Sequence, residues 1–173
     1  MRRAHPYIRL TIAAAVLVAM TASPALAAKP EKSALEGFTA TFPAGVLCEF
    51  GVEWDIAAGG NQLVFPERPN GDVVVRSVGR SRGTVTNLDS APERSVQFRG
   101  GIRQDLVFHA DGTIDAMISG TVVAGYFPTD VGGPSQWLFR GHLHDELDAT
   151  FTATAHSFHG NATDLCAALT PPQ

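Results

Sequence analysis

The chain has 173 residues, with 13 Lys plus Arg against 17 Asp plus Glu and a formal net charge of −4 at pH 7. That length suits one ordinary domain with enough chain to bury a core. A net-acidic surface has no general attraction for phosphate backbones or anionic lipid, so no nucleic-acid partner is expected.

Arg2, Arg3 and Arg9 precede or open an uncharged apolar run at 10–20, and small residues follow to Ala25-Leu26-Ala27. These are the n-region, h-region and small-x-small cleavage site of a secretory signal. The run is about half the length a membrane-spanning helix needs. Residues 1–27 therefore read as a cleavable signal peptide and the protein as secreted, with no membrane association after cleavage. The residues around Arg2-Arg3 do not complete a twin-arginine pattern, and no Cys follows Ala27 to take a lipid. Removing the signal leaves about 146 residues with a formal charge of about −7.

Residues 28–36 are small, charged and Pro-containing, and read as a flexible lead-in to a single domain at 37–170. Beyond it the apolar period is two. At 48–56 Cys48, Phe50, Val52, Trp54 and Ile56 alternate with Glu49, Gly51, Glu53 and Asp55, as a half-buried strand requires. Gly59-Gly60 then breaks the chain, and Asn70-Gly71 suits a tight hairpin. Arg76, Arg80, Arg82, Arg94, Arg99 and Arg103 follow, interspersed with Asp89, Glu93 and Asp105 and without aromatic partners. They read as solvated strand edges. After Gly100-Gly101, strands are expected at 102–108, 114–118, 137–143 and 151–155, with Asp111-Gly112 and Gly132-Gly133-Pro134 as turns. Only 163–169 looks helical, capped by Thr163 or Asp164. The fold expected is all-β: a single antiparallel β-barrel or β-sandwich of about 8–10 strands with a short C-terminal helical turn. Short turns favour a meander, and with it a closed or nearly closed barrel.

Cys48 and Cys166 are the only cysteines. In an oxidising compartment they are most simply one disulfide, with two buried free thiols as the alternative. The bridge would close a loop of about 118 residues, worth about 4–5 kcal/mol on a chain-entropy account.

His142 and His144, an H-x-H pair followed by Asp145 and Glu146, are the low-prior candidates for metal ligands. Placing Leu143 opposite Phe151 would leave the third candidate, His156, about 13–20 Å away. Arg140, His142 and His144 then face solvent, opposite Trp137 and Phe139. Gly79-Arg80-Ser81-Arg82-Gly83 matches G-x-S-x-G, but a strand pattern rather than a helix follows it, so it reads as a polar loop. Glu49 and Glu53 are too far apart along one strand for paired-carboxylate chemistry, and Glu53 and Asp55 are neighbours on a solvated face. Asn161-Ala162-Thr163 is a glycosylation sequon by pattern. No catalytic residue or cofactor-binding motif is assigned.

Several stretches carry a resemblance: Phe42-Pro43-Ala44-Gly45 before Cys48, Thr86-Asn87-Leu88-Asp89, Phe127-Pro128-Thr129-Asp130 with Gly132-Gly133-Pro134, and Asp164-Leu165-Cys166-Ala167-Ala168-Leu169. On these the chain resembles a family of uncharacterised exported proteins of actinobacteria, over about Phe38 to Leu169. The resemblance implies export and the cysteine pair, and no activity. Ser90-Ala91-Pro92-Glu93-Arg94 departs from the short Thr/Ser-Gly turn it leads one to expect.

The leading functional expectation is a secreted, non-enzymatic β scaffold that binds a small apolar ligand or a protein partner. The alternatives are a secreted inhibitor of extracellular hydrolases, presenting Arg80 to Gly83 or Gly132 to Gln136 as a stiff loop, and a metal-dependent enzyme using His142 and His144.

Overall fold

A computed structural model describes residues 29–172; the expected signal peptide lies outside the described residues. The chain forms β1 (Glu31–Ala34), β2 (Phe38–Phe42), β3 (Val52–Val64), β4 (Val73–Asn87), β5 (Arg94–Phe108), β6 (Ile114–Tyr126), β7 (Ser135–Leu147), β8 (Ala153–Asp164) and α1 (Leu165–Leu169). The all-β fold is as expected: eight antiparallel strands form one sheet. From β3 to β8 it is a meander, with β1 and β2 sharing the outer side of β3. The sheet is not a closed barrel.

Three expectations need correction. The expected flexible lead-in contains β1, paired along its length with Asn61–Val64. Cys48 does not begin a strand. Gly45 at φ +84° and the bond from Gly45 N–H to the Cys48 carbonyl hold that stretch in turns, and the ladder starts at Val52. Gly59-Gly60 and Gly100-Gly101 do not end strands; they lie inside β3 and β5, which explains why fewer and longer strands form than the spacing suggested.

Mid-strand glycines have a physical reason here. A Cβ on Gly120 (φ +113°) would stand 2.0 Å from the Gly101 carbonyl oxygen, and one on Gly141 (φ +149°) 2.2 Å from that of His159. Strands therefore cross a transverse crease where backbones approach too closely for any side chain. The crease also marks where the sheet divides. The β5–β6 ladder covers only 102–108 against 114–120. Beyond it, the rest of β5 stays with β4, and the rest of β6 stays with β7.

The larger core lies where the halves part. Trp54, Val85 and Phe98 come from β3–β5, Val123 and Leu138 from β6–β7, and Leu47, Cys48, Leu165 and Leu169 from the flanking segments. A second cluster of Ile118, Tyr126, Phe139, Leu143 and Ala153 covers the other face of β6–β8. Strands β6 and β7 thus bury residues on both faces, so Leu138 and Phe139 are both buried although successive side chains point apart. Trp54 Nε1–H donates to Gln136 Oε1 at 2.8 Å across the divided sheet, inside the core.

Helix α1 closes the divided end. Asp164 caps it, accepting from the Ala167 N–H at 3.0 Å. Asn87 Nδ2 donates to the Leu169 carbonyl and an Arg94 guanidinium N–H donates to that of Thr170, tying the helix to the β4–β5 end. The Cys48–Cys166 disulfide is present, with Cα atoms 5.4 Å apart and a sequence separation of 118. A bridge closing so long a loop removes much of the freedom of the unfolded chain. The double variant Cys48→Ala/Cys166→Ala is expected to lose about 4 kcal/mol of unfolding free energy in chemical denaturation. A loss below about 1 kcal/mol would show that the apolar contacts and the Asn87 and Arg94 hydrogen bonds hold α1 without the bridge.

Candidate functional site

The histidines fall in a different register from the one expected. The β7–β8 turn is set by Asp148, whose Oδ1 accepts from the backbone N–H groups of Thr150 and Thr152, with Phe151 at φ +62° in the turn rather than in a strand. Leu143 is consequently opposite Phe158, His144 opposite Ser157, and His142 opposite His159. His142 and His144 do lie on the solvent side, as expected. An open depression of about 520 Å³ is lined by Arg103, Met117, Ser119, His142, His144 and His159. Ser119 Oγ lies 2.9 Å from His142 Nδ1. Among the described residues no group of three or more His, Cys, Asp or Glu is placed to hold a metal ion.

The perturbed titratable groups are engaged in internal networks. His109 Nδ1 lies 3.1 Å from Asp72 Oδ1 and its Nε2 lies 3.0 Å from Asp115 Oδ2; Asp115 Oδ1 in turn lies 3.3 Å from His144 Nε2. Hydrogen bonds to Asp115 and then to Asp72 hold the His109 imidazole above its ordinary value. Asp72 is held low, chiefly by Asn70 and then His109, and Asp115 chiefly by His109. This chain ties the β3–β4 and β5–β6 turns to β7. Elsewhere Tyr126 donates its hydroxyl hydrogen to buried Asp145, 3.0 Å to Oδ1. Burial pushes the Asp145 carboxyl up, opposed by that hydrogen bond, and burial with Asp145 pushes the Tyr126 phenol up as well. Their partners are each other, and the pair anchors the end of β6 to β7.

The arginine cluster is where the structure departs most from expectation. Arg80 and Arg82 are not on an edge: β4 is paired along its whole length with β3 and β5. Only the 94–101 part of β5 lacks a second ladder, so the edge reading applies to Arg94 and Arg99 alone. Three of the six have partners. Arg76 Nε and Nη2 donate to the two carboxylate oxygens of Asp105 at 2.6 and 3.1 Å, Arg103 Nη2 donates to Asp105 at 3.0 Å, and Arg94 is bound to Thr170. The Arg76 guanidinium holds the Asp105 carboxyl below its ordinary range, with Arg103 adding to it.

Arg80, Arg82 and Arg99 differ. They are exposed, and among the described residues none has a carboxylate within ion-pair distance. Arg82 and Arg99 are directly opposite in the ladder, an arrangement of like charge that destabilises a sheet. Their floor is small: a trough of about 650 Å³ is lined by Ala57, Gly59, Gly101 and the three arginines. A contiguous depression of about 800 Å³ adds Asp55, Gln97 and Arg140 around Arg82 and Arg99. Sequence reasoning read these arginines as a solvated run. The available signal was register: alternate residues on adjacent paired strands converge on one face.

The remaining candidates are placed apart from this site or without its geometry. The G-x-S-x-G stretch is the middle of β4, not a loop, which also removes Arg80 to Gly83 as a stiff inhibitory loop. Gly132–Pro134 does form a turn, but Gln136 beyond it is fully buried. Asp55 borders the larger depression, and no salt bridge to it forms among the described residues. Asn161 is exposed on β8. No family model, curated protein or solved structure matches this chain.

The His109 network makes a pH prediction. A raised imidazole holds its proton more tightly in the native state than unfolded. Its contribution is full below the ordinary value of 6.5 and fades as pH rises through the raised native value. The lowered carboxyls of Asp72 and Asp115 contribute fully above 3.8 and lose their share as pH falls through their native values. The melting temperature difference between wild type and His109→Gln is therefore largest between these two values and shrinks on either side. A pH-independent difference would mean that His109 acts by packing alone.

Proposed function

We propose that this is a secreted, non-enzymatic binding protein, a rigid β scaffold that takes a small anionic ligand in the trough of Arg80, Arg82 and Arg99. The observation that carries the reading is three exposed arginines, without a carboxylate partner among the described residues, gathered on one face over glycine and alanine in a net-acidic chain. Guanidinium groups match oxyanions with forked hydrogen bonds, and a depression of this volume is of small-ligand size. An anionic ligand fits better than the apolar one first expected. The sheet does not close round a lumen, and the two cores are filled by their own apolar side chains. The export pattern in the sequence and the long-loop disulfide support an extracellular setting.

Binding is favoured over catalysis by how the shifted groups are used. His109 and Asp145, the candidates for acid–base work, have their hydrogen bonds committed to Asp72, Asp115 and Tyr126 within the scaffold. The three arginines, in contrast, have no carboxylate partner among the described residues.

A thermal-shift titration with phosphate, sulfate and citrate at low ionic strength tests the reading. A ligand that binds only the native state raises its melting temperature by mass action, and the response is expected to shrink with added salt. Arg82→Ala/Arg99→Ala should lose the response. Relieved of its opposed charges, this variant should be no less stable than wild type in the absence of ligand. An unmoved melting temperature with all three anions to tens of millimolar would overturn the proposal.

A further inference from the structure

The face carrying the trough contains one three-residue constellation twice, with glycine in the second copy where the first has aspartate; opposite the second arginine, Val78 in the first copy is replaced by Arg82 in the second. In the first, Arg76 on β4 is directly opposite Asp105 on β5, and Arg103 lies two residues from Asp105 on the same face. Asp105 accepts from both arginines, at 2.6 and 3.1 Å from Arg76 and 3.0 Å from Arg103. Four residues along each strand, Arg80 is directly opposite Gly101, and Arg99 lies two residues from Gly101. The ladder between β4 and β5 runs without a register shift through both copies. Arg80 and Arg99 therefore stand to Gly101 as Arg76 and Arg103 stand to Asp105, about 13 Å away along the sheet. The second pair of arginines occupies the ladder positions of a carboxylate clamp and lacks the carboxylate.

The glycine is not there for the backbone. Gly101 has no positive φ, and a Cβ placed on it would meet nothing nearer than the Gly79 carbonyl oxygen at 3.9 Å, ordinary contact. Its neighbour Gly100 is different, because a Cβ there would stand 2.3 Å from Thr121 Oγ1. On the other flank of Arg80, a Cβ on Gly59 would meet nothing within 4 Å. Arg80 is thus bordered on both sides by side-chain-free positions that have room for side chains. In a strand such glycines weaken the sheet without an evident packing return.

The geometry points to a carboxylate seat over Gly101, in which a small organic acid places a carboxylate between Arg80 and Arg99, with Arg82 opposite Arg99 adding a third guanidinium. The assignment rests on the trough reading above and names its ligand class. The fold itself supplies the template: the same two-arginine arrangement already holds a carboxylate, that of Asp105. The volume of about 650 Å³ suits an acid of a few carbons to the size of a sugar acid. A second carboxylate on the same ligand would reach Arg82 or Arg140, both of which line the contiguous depression.

The test is to fill the seat from within. Gly101→Asp rebuilds the first constellation in the second position, so its own carboxylate neutralises Arg80 and Arg99. Calorimetric titration with citrate is expected to show saturable binding to wild type, weakened at least tenfold in Gly101→Asp, Arg80→Gln and Arg99→Gln. Gly101→Ala, which adds bulk without charge, should stay within about threefold of wild type, and Gly101→Asp should melt no lower than wild type. Inorganic phosphate should bind wild type at least tenfold more weakly than citrate. Citrate binding unchanged in Gly101→Asp, or in both glutamine variants, overturns the seat. If it is then lost in Arg82→Ala/Arg99→Ala, the trough remains the binding site with its ligand elsewhere in it. If neither citrate nor phosphate binds wild type, the seat and the trough reading fall together.

Discussion

The close approach of backbones along the glycine crease governs much of the rest of the molecule. Strands of 12 to 15 residues carry too much twist to stay in one flat ladder. At Gly60, Gly79, Gly120, Gly141 and Gly160 a partner carbonyl sits where a side chain would otherwise begin, so this close approach of the strands requires glycine at those positions. On one side of that line β5 and β6 are hydrogen-bonded; on the other they part. The parting creates the space that Trp54, Val85, Phe98, Val123 and Leu138 fill, and the end that Leu165 and Leu169 plug. A continuous flat sheet of the same sequence would leave these apolar groups on a solvated face, where about 25 cal/mol per Å² of buried apolar area would be forgone.

The crease also separates two uses of charge. On one side of it, Arg76, Arg103 and Asp105 form a partly buried network in which one carboxylate serves two guanidiniums. At the crease and beyond, the same spacing of arginines continues without the acid. An exposed ion pair contributes little to stability, so leaving one out costs the fold little. Opposing Arg82 and Arg99 directly is a different matter, since that arrangement is mildly destabilising and among the described residues no ion pair compensates it. Groups that lower stability while making no internal ion pair are what a binding surface leaves behind in a scaffold.

Much of this fold was legible from alternation and turn chemistry. Asn70-Gly71 and Asp111-Gly112 are at hairpin turns with both glycines at positive φ, Asp164 caps the helix, and the two cysteines are bridged. The misreadings share one cause, the treatment of Gly as punctuation. Gly59-Gly60, Gly100-Gly101 and the glycines of G-x-S-x-G lie inside strands; Gly60, Gly79 and Gly83, which are needed for backbone approach, look in sequence like glycines needed for a turn. That error divided long strands into short ones and turned Arg80 and Arg82 into loop residues. The β7–β8 register failed differently: Phe151 was matched as a core residue, whereas Asp148 draws it into the turn and moves the pairing to Leu143 with Phe158. The candidate site was unreadable for a related reason. Arg80 and Arg99 are 19 positions apart in the chain, and only the β4–β5 register sets them on one face.

Pre-organisation links the closing devices to the trough. Arginine side chains lose rotamer freedom when they clamp a ligand, so the backbone beneath them has to be held if binding is to be net favourable. Strand β4 is fixed by ladders on both sides, but the 94–101 part of β5 has only one. Its free flank is held in other ways. Phe98 is buried in the main core, Arg94 is bound to the carbonyl of Thr170, and α1 packs against β5. The helix in turn is bridged through Cys166 to Cys48. The disulfide therefore lies at the end of a chain of contacts, from Cys48 through α1 and Phe98, that ends one residue from Arg99. On this account the bridge and helix are more than a stop at the C-terminus: they hold a strand segment of the trough that the sheet supports on one side only.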